Sequence, residues 1–118
     1  MTEADHRLVL GRVVSAVAAV AAVSPVSMFM RDRGRDVIRA RWVAIWLLRE
    51  LTRLSTIRVG YLFDGIDHST VLNACRHVDS DRHINGPLWQ CAVLAFRRLY
   101  AEQHARVRRP LGRVEALP

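Results

Sequence analysis

Gly65 and Asp67 stand two residues apart between two short apolar-periodic segments, and no other feature narrows the fold as much. Glycine suits the left-handed residue that closes a helix, and aspartate supplies the side-chain acceptor that opens the next. The pair predicts a tight turn between two helices. After it, Val71, Ala74, Cys75 and Val78 recur at helical spacing as one apolar face. His68, Ser69, Thr70, Asn73, Arg76 and His77 carry polar groups elsewhere on that helix. Short hydrogen-bonding side chains crowd its first turn, as in the second helix of a helix-turn-helix, which enters the major groove N-terminus first. The same residues also fit a solvated, capped helix of any all-α domain.

The rest of the chain reads as helices around that unit. Asp5 is expected to cap a first helix to about Val23, with Leu8, Val9, Val13, Val17, Val20 and Val23 available for burial. Ser24-Pro25 restarts the chain as cap and first helical residue of a short helix through Met30, with Met28, Phe29 and Met30 at the base of the core. The run from Arg31 to Asp36 alternates charge around Gly34 and predicts an exposed basic loop: a solvated linker, or an arginine arm reaching phosphate or a minor groove. Asp36 should cap the next helix, to about Arg53, with Val37, Ala40, Ala44, Leu47, Leu48 and Leu51 as its buried stripe. Ser55 or Thr56 opens a short helix to about Phe63, packed through Ile57, Val59, Leu62 and Phe63. Within it Gly60, about 1 kcal/mol worse than alanine in a helix, implies a close helix crossing. Beyond Val78, residues Asp79 to His83 read as a polar connection. Asn85-Gly86-Pro87 then starts a last helix to about Gln103, with Leu88, Cys91, Ala92, Leu94, Ala95, Leu99 and Tyr100 as its apolar side.

These elements predict an all-α fold in one domain over residues 1–105, followed by a basic, disordered tail over 106–118. All 18 basic residues are arginine, and the formal charge of +7 points to a polyanion, either nucleic acid or an anionic membrane surface. From Arg31 to Arg58 the chain carries a net +5. Trp42 and Trp46, four apart, share a helix face that suits the core, a partner protein or base stacking. Cys75 and Cys91 lie in apolar helical patterns outside any CxxC pair, and are expected as reduced thiols of a cytoplasmic protein. The apolar run Val13–Val23, 11 residues, is too short for a bilayer, and the N-terminus reads as no signal peptide. Spacings of His68, Cys75, His77, His83 and Cys91 resemble no zinc site, and the chain has no phosphate loop or nucleophile motif. No enzyme, metal, nucleotide or other cofactor is therefore expected.

The run from Arg41 to Val78 resembles the C-terminal DNA-binding domain of the bacterial replication initiator DnaA. The likeness centres on Asp67-His68-Ser69-Thr70-Val71-Leu72 with Ala74-Cys75-Arg76 behind it, and extends over roughly Asp5 to Gln103. It implies a helix-turn-helix domain that binds double-stranded DNA as a monomer at a short A·T-rich box, associated with the nucleoid. By the resemblance, Asp67, His68, Ser69, Thr70 and Asn73 face bases or neighbouring phosphates of the major groove, and Arg33, or Arg31 or Arg35 if the loop slips, enters the minor groove. Arg41, Arg49, Ser55, Thr56 and His77 match positions that hold or flank the sugar-phosphate backbone, so Arg41→Ala is expected to weaken all sites alike. The chain departs from the family at Asp64, Ile66, Trp42, Thr56-Ile57, Asn73 and His77, which implies a preferred sequence other than the usual box. Without a nucleotide-binding ATPase domain in the sequence, the resemblance implies a stand-alone regulator or competitor at initiator sites, of a bacterium or a phage.

Overall fold

The computed structural model describes residues 1–31 and 33–115, with side chains through residue 105. Five helices and one short 3-10 turn account for the described fold, and no strand occurs among these residues. The first helix, α1, is Glu3–Ala21. Its cap is Thr2 in place of the expected Asp5: the Thr2 hydroxyl accepts from the Asp5 amide while the Asp5 carboxylate accepts from the Thr2 amide. This capping box satisfies orphan donors at both ends of the first turn. The buried stripe of α1 runs through Leu10, Val13, Val14 and Val17, with Ala16 and Ala18 letting neighbours approach. Leu8, expected inside, is 56% exposed because it lies half a turn from that stripe.

A 3-10 turn, Val26–Phe29, follows, with Met28 buried and Phe29 stacked on Phe63 at 5.6 Å between ring centres. Met30, expected in the core, is 61% exposed. Gly34, rather than Asp36, then caps α2, Arg35–Thr52, and Asp36 sits in the first turn, where its charge favours the positive helix end.

Helix α2 is the axis of the fold and packs against α1, the 3-10 turn and the three later helices. Its burial is wider than a single stripe: Val43 and Ile45 are fully enclosed alongside Ala40, Ala44, Leu47 and Leu48. That follows from having α1, α4 and α5 all packed against it. Leu51, at its end, is half-exposed.

Ser55 caps α3, Thr56–Leu62, by accepting from the Arg58 amide at 3.2 Å. Ile57, expected to pack, points to solvent, whereas Val59, Leu62 and Phe63 are buried. Asp64 and Gly65 both adopt left-handed backbone, at φ 65 and 81. This reverses the chain so that the Gly65 and Ile66 amides donate back to the Gly60 carbonyl at 2.9 and 3.0 Å. A Cβ on Gly60 would collide with the Ile66 carbonyl, which explains the glycine: the close approach is the turn itself.

Helix α4, His68–His83, continues past Val78 through the segment expected to be a polar connection. Two of its acids give that segment helical work. Asp79 accepts from the Trp46 indole at 2.9 Å, and Asp81 accepts from the Trp89 amide at 3.0 Å, tying α4 to α2 and α5. Pro87 opens α5, Pro87–Glu115, so helical backbone runs beyond Gln103. The side chains of the expected basic tail and residues 116–118 lie outside the described residues. On α5, Ala92 and Ala95 are buried, but Leu94 and Tyr100, expected on its apolar side, are exposed together with Phe96. No helix among the described residues is long and apolar enough to cross a membrane.

Candidate nucleic-acid interface

Asp67 organises the first turn of α4. Its carboxylate accepts from the Ser69 amide at 3.3 Å and from the Ser69 hydroxyl, and lies 3.4 Å from His68 Nδ1. The two Ser69 hydrogen bonds, with the neighbouring His68 as a smaller cause, hold the Asp67 carboxyl below the ordinary aspartate range. His68, Ser69, Thr70 and Asn73 are all exposed, so the polar first turn stands clear of the core. Behind them Val71 and Ala74 are fully buried and fasten the helix to the domain.

Ser69 and Thr70 lie four and three residues before Asn73, which lies four before His77, and together they make an exposed stripe down α4. The stripe ends against α2, where the His77 ring stacks on Trp42 with centres 3.8 Å apart and an 8° tilt. Beside this stack opens a shallow groove of about 710 Å³ whose walls include Arg33, Arg35, Arg39, Trp42 and His77. The loop arginine and the far end of the α4 stripe, more than forty residues apart in sequence, are thereby brought to one surface. Arg35 belongs to the basic loop that the sequence points to, whereas Arg39 is given no binding role by it. The signal for Arg39 was the continuation of the arginine loop into the first turns of α2.

At the other end of α2, Arg49 is half-buried and its guanidinium reaches the Cys75 thiol of α4. Burial raises the Cys75 pKa, and the Arg49 charge and hydrogen bond oppose that rise. Ser55 and Thr56 form the start of α3, with the Ser55 hydroxyl occupied as the cap acceptor. Arg41 is not splayed outward. It is half-buried, and its guanidinium donates to the carbonyls of Met28 at 2.7 Å, Met30 at 2.8 Å and Ser27 at 3.3 Å.

Several other arginines also have internal work. Arg58 pairs with Glu3 at 3.2 Å and lies over the Tyr61 ring, which Arg7 approaches too, and Arg82 lies over Trp89. These arginines outside the groove thus contribute to packing within the domain. Trp42 and Trp46 are half-buried: the first stacks on His77, and the second meets Trp89 edge-on while its indole donates to Asp79. Cys75 and Cys91 are free thiols. Among the described residues, no three His, Cys, Asp or Glu side chains converge on a common metal position.

A short helix, a reversal over a glycine and a capped second helix with a polar, exposed first turn define a helix-turn-helix protein. The profile of the family described as bacterial DnaA protein helix-turn-helix matches residues 10–78, and the chain belongs to that family. The chromosomal replication initiator protein DnaA of Azoarcus sp. (strain BH72) is 36% identical over 74 residues, which cover 63% of this chain and 15% of that protein. The corresponding protein of Chromobacterium violaceum is 46% identical over 55 residues, 47% of this chain and 12% of the relative. That of Thermus thermophilus is 40% identical over 70 residues, 56% of this chain and 16% of the relative. The chain therefore spans about 12–16% of the length of these three relatives. The matched domain is a non-catalytic helix-turn-helix, and DNA binding is the coarse function that family membership supports.

Proposed function

We propose that this protein binds double-stranded DNA with sequence preference, as a monomer in the cytoplasm at the nucleoid. In this reading it is a regulator or competitor at sites of the DnaA-box kind. The observation that carries the reading is the exposed first turn of α4, held by Asp67 and bordered by the arginine groove. His68, Ser69, Thr70 and Asn73 read base edges in the major groove. Asp67 orients the turn and accepts from an exposed base amine, and the Thr70 methyl contacts thymine. Arg33 enters the adjacent minor groove. Arg35, Arg39 and Arg49, with Ser55, Thr56 and His77, hold the backbone, which supplies affinity without sequence information. The tryptophans favour this reading over a protein-docking one, because both are engaged inside the domain.

Titration of the protein onto a preferred and a scrambled duplex tests the assignment. With about five phosphates neutralised, log K should fall against log salt with a slope of roughly −4.5. His68→Ala and Thr70→Ala should each bring the two duplexes closer in affinity, whereas Arg39→Ala should weaken both by the same factor. Equal losses on both duplexes for all three variants would refute the division of roles.

A further inference from the structure

We infer that Arg41 acts as a positioning residue that sets the minor-groove arginine Arg33, and is not itself a backbone clamp. The inference rests on the DNA-binding reading above and sharpens how that surface is built.

Carbonyls at the end of a short helical turn carry partial negative charge and attract a cation, even where one of them, that of Ser27, already accepts from the Met30 amide. Arg41, from the second turn of α2, supplies one. Its Nε donates to Met28 and its Nη2 to both Met30 and Ser27, and charge-assisted bonds of this kind are about twice as strong as neutral ones. Met30 is the last residue before the arginine loop and leaves the turn in extended backbone, φ −99 and ψ 168. Three residues after it comes Arg33, followed at once by Gly34, the cap of α2, whose carbonyl accepts from the Ile38 amide at 2.9 Å. Both ends of the loop are thus tied to one helix, the exit by the Gly34 cap and the entrance by the Arg41 fork. Helix α2 is itself locked to α4 by the Trp42–His77 stack, one residue along from Arg41. The fork therefore sets where Arg33 stands relative to the α4 stripe, and so the spacing at which the two grooves are read together.

Lysine separates this role from a phosphate contact. It keeps the charge as a point on a flexible stem, but cannot present the rigid fork that spans several carbonyls. The test compares the full chain with Arg41→Lys, Arg33→Ala and Arg33→Ala/Arg41→Lys, using thermal unfolding to confirm that each variant folds. Without DNA, amide exchange at Met30, whose amide donates to Ser27, should be faster in Arg41→Lys. On DNA, Arg41→Lys should lose about tenfold in discrimination between preferred and scrambled duplexes, the scale of one lost base contact. Arg33→Ala should lose the same, and the double variant no more than either. Wild-type discrimination in Arg41→Lys, losses that multiply in the double variant, or unchanged Met30 exchange would each overturn the assignment. Should the wild-type chain bind no duplex at all, the DNA reading itself fails, and faster Met30 exchange in Arg41→Lys would still support the fork's hold on the loop.

Discussion

Alanine at Gly60 and alanine at Gly11 are the same chemical change inside a helix, and the structure assigns them opposite signs. Gly11 lies on the exposed side of α1 with nothing within 4 Å of an added Cβ. Gly11→Ala should accordingly stabilise the domain by about 1 kcal/mol, the difference in helix propensity. At Gly60 the same gain is opposed by the Ile66 backbone carbonyl, which occupies the space of the new methyl. Relief requires the turn to open, and that threatens the bonds from the Gly65 and Ile66 amides to the Gly60 carbonyl at 2.9 and 3.0 Å. Two such bonds contribute about 1 kcal/mol each, and overpacking a tight site costs about 1–3 kcal/mol. The balance is a net loss of roughly 2 kcal/mol, or a fall in Tm on the order of 10 °C for a domain of this size. Thermal unfolding of both variants beside the wild type measures it. Gly60→Ala should also weaken selective duplex binding, because opening the turn displaces the first turn of α4. A Gly60→Ala protein as stable as Gly11→Ala would refute the account of the turn.

Other perturbations have equally definite outcomes. Gly65→Ala should cost about 1–2 kcal/mol through its left-handed φ alone, since the space around Gly65 is open; an unchanged urea midpoint would show that the backbone there adjusts freely. Because the folded-state pKa of Asp67 is lowered by Ser69, its carboxylate stabilises the fold above the unfolded-state value, and that contribution is lost as pH falls through the folded-state value. Any neutral-pH advantage of wild type over Asp67→Asn, an equally good cap that does not titrate, should shrink in acid, and an advantage that persists in strong acid would contradict this. Burial raises the pKa of both Cys75 and Cys91, so thiol reagents should act slowly on the folded protein at neutral pH and reach half-buried Cys91 before Cys75. Fast labelling of Cys75 would contradict the packing of α4 on α2.

How much of this was legible in the sequence depended on whether the deciding interaction was local. The Gly65 reversal, the Asp67 cap, the Ser55 cap and the Pro87 start each arise within a few residues, and each stands where the pattern put it. The all-α fold followed from periodicity alone. Caps failed where two local solutions competed, as at Thr2 against Asp5, or where glycine took the position without a side chain, as at Gly34. The continuation of α4 to His83 was hidden because Asp79 and Asp81 look like loop residues until Trp46 and the Trp89 amide arrive from distant elements. Leu51, Leu94 and Tyr100 looked buried because periodicity reports which residues share a face, and not whether anything covers it.

The polar first turn of α4 could be read directly, since its residues need only be capped and exposed. The groove beside it could not, because Arg33, Arg39 and His77 meet only after α2 packs on α4. Arg41 is the clearest case: the family resemblance matched it to a backbone-holding position, and only the course of the chain from Ser27 to Met30 reveals an internal acceptor set.

The central claim is that this surface reads DNA sequence. Selection of bound molecules from a random duplex pool at moderate salt tests it most directly. Recovery of one short motif with an A·T-rich minor-groove segment beside it, abolished by His68→Ala and weakened by Arg33→Ala, is the outcome the account predicts. A pool that emerges with no enriched motif, although the protein binds it with full salt dependence, would contradict sequence reading and leave only backbone affinity.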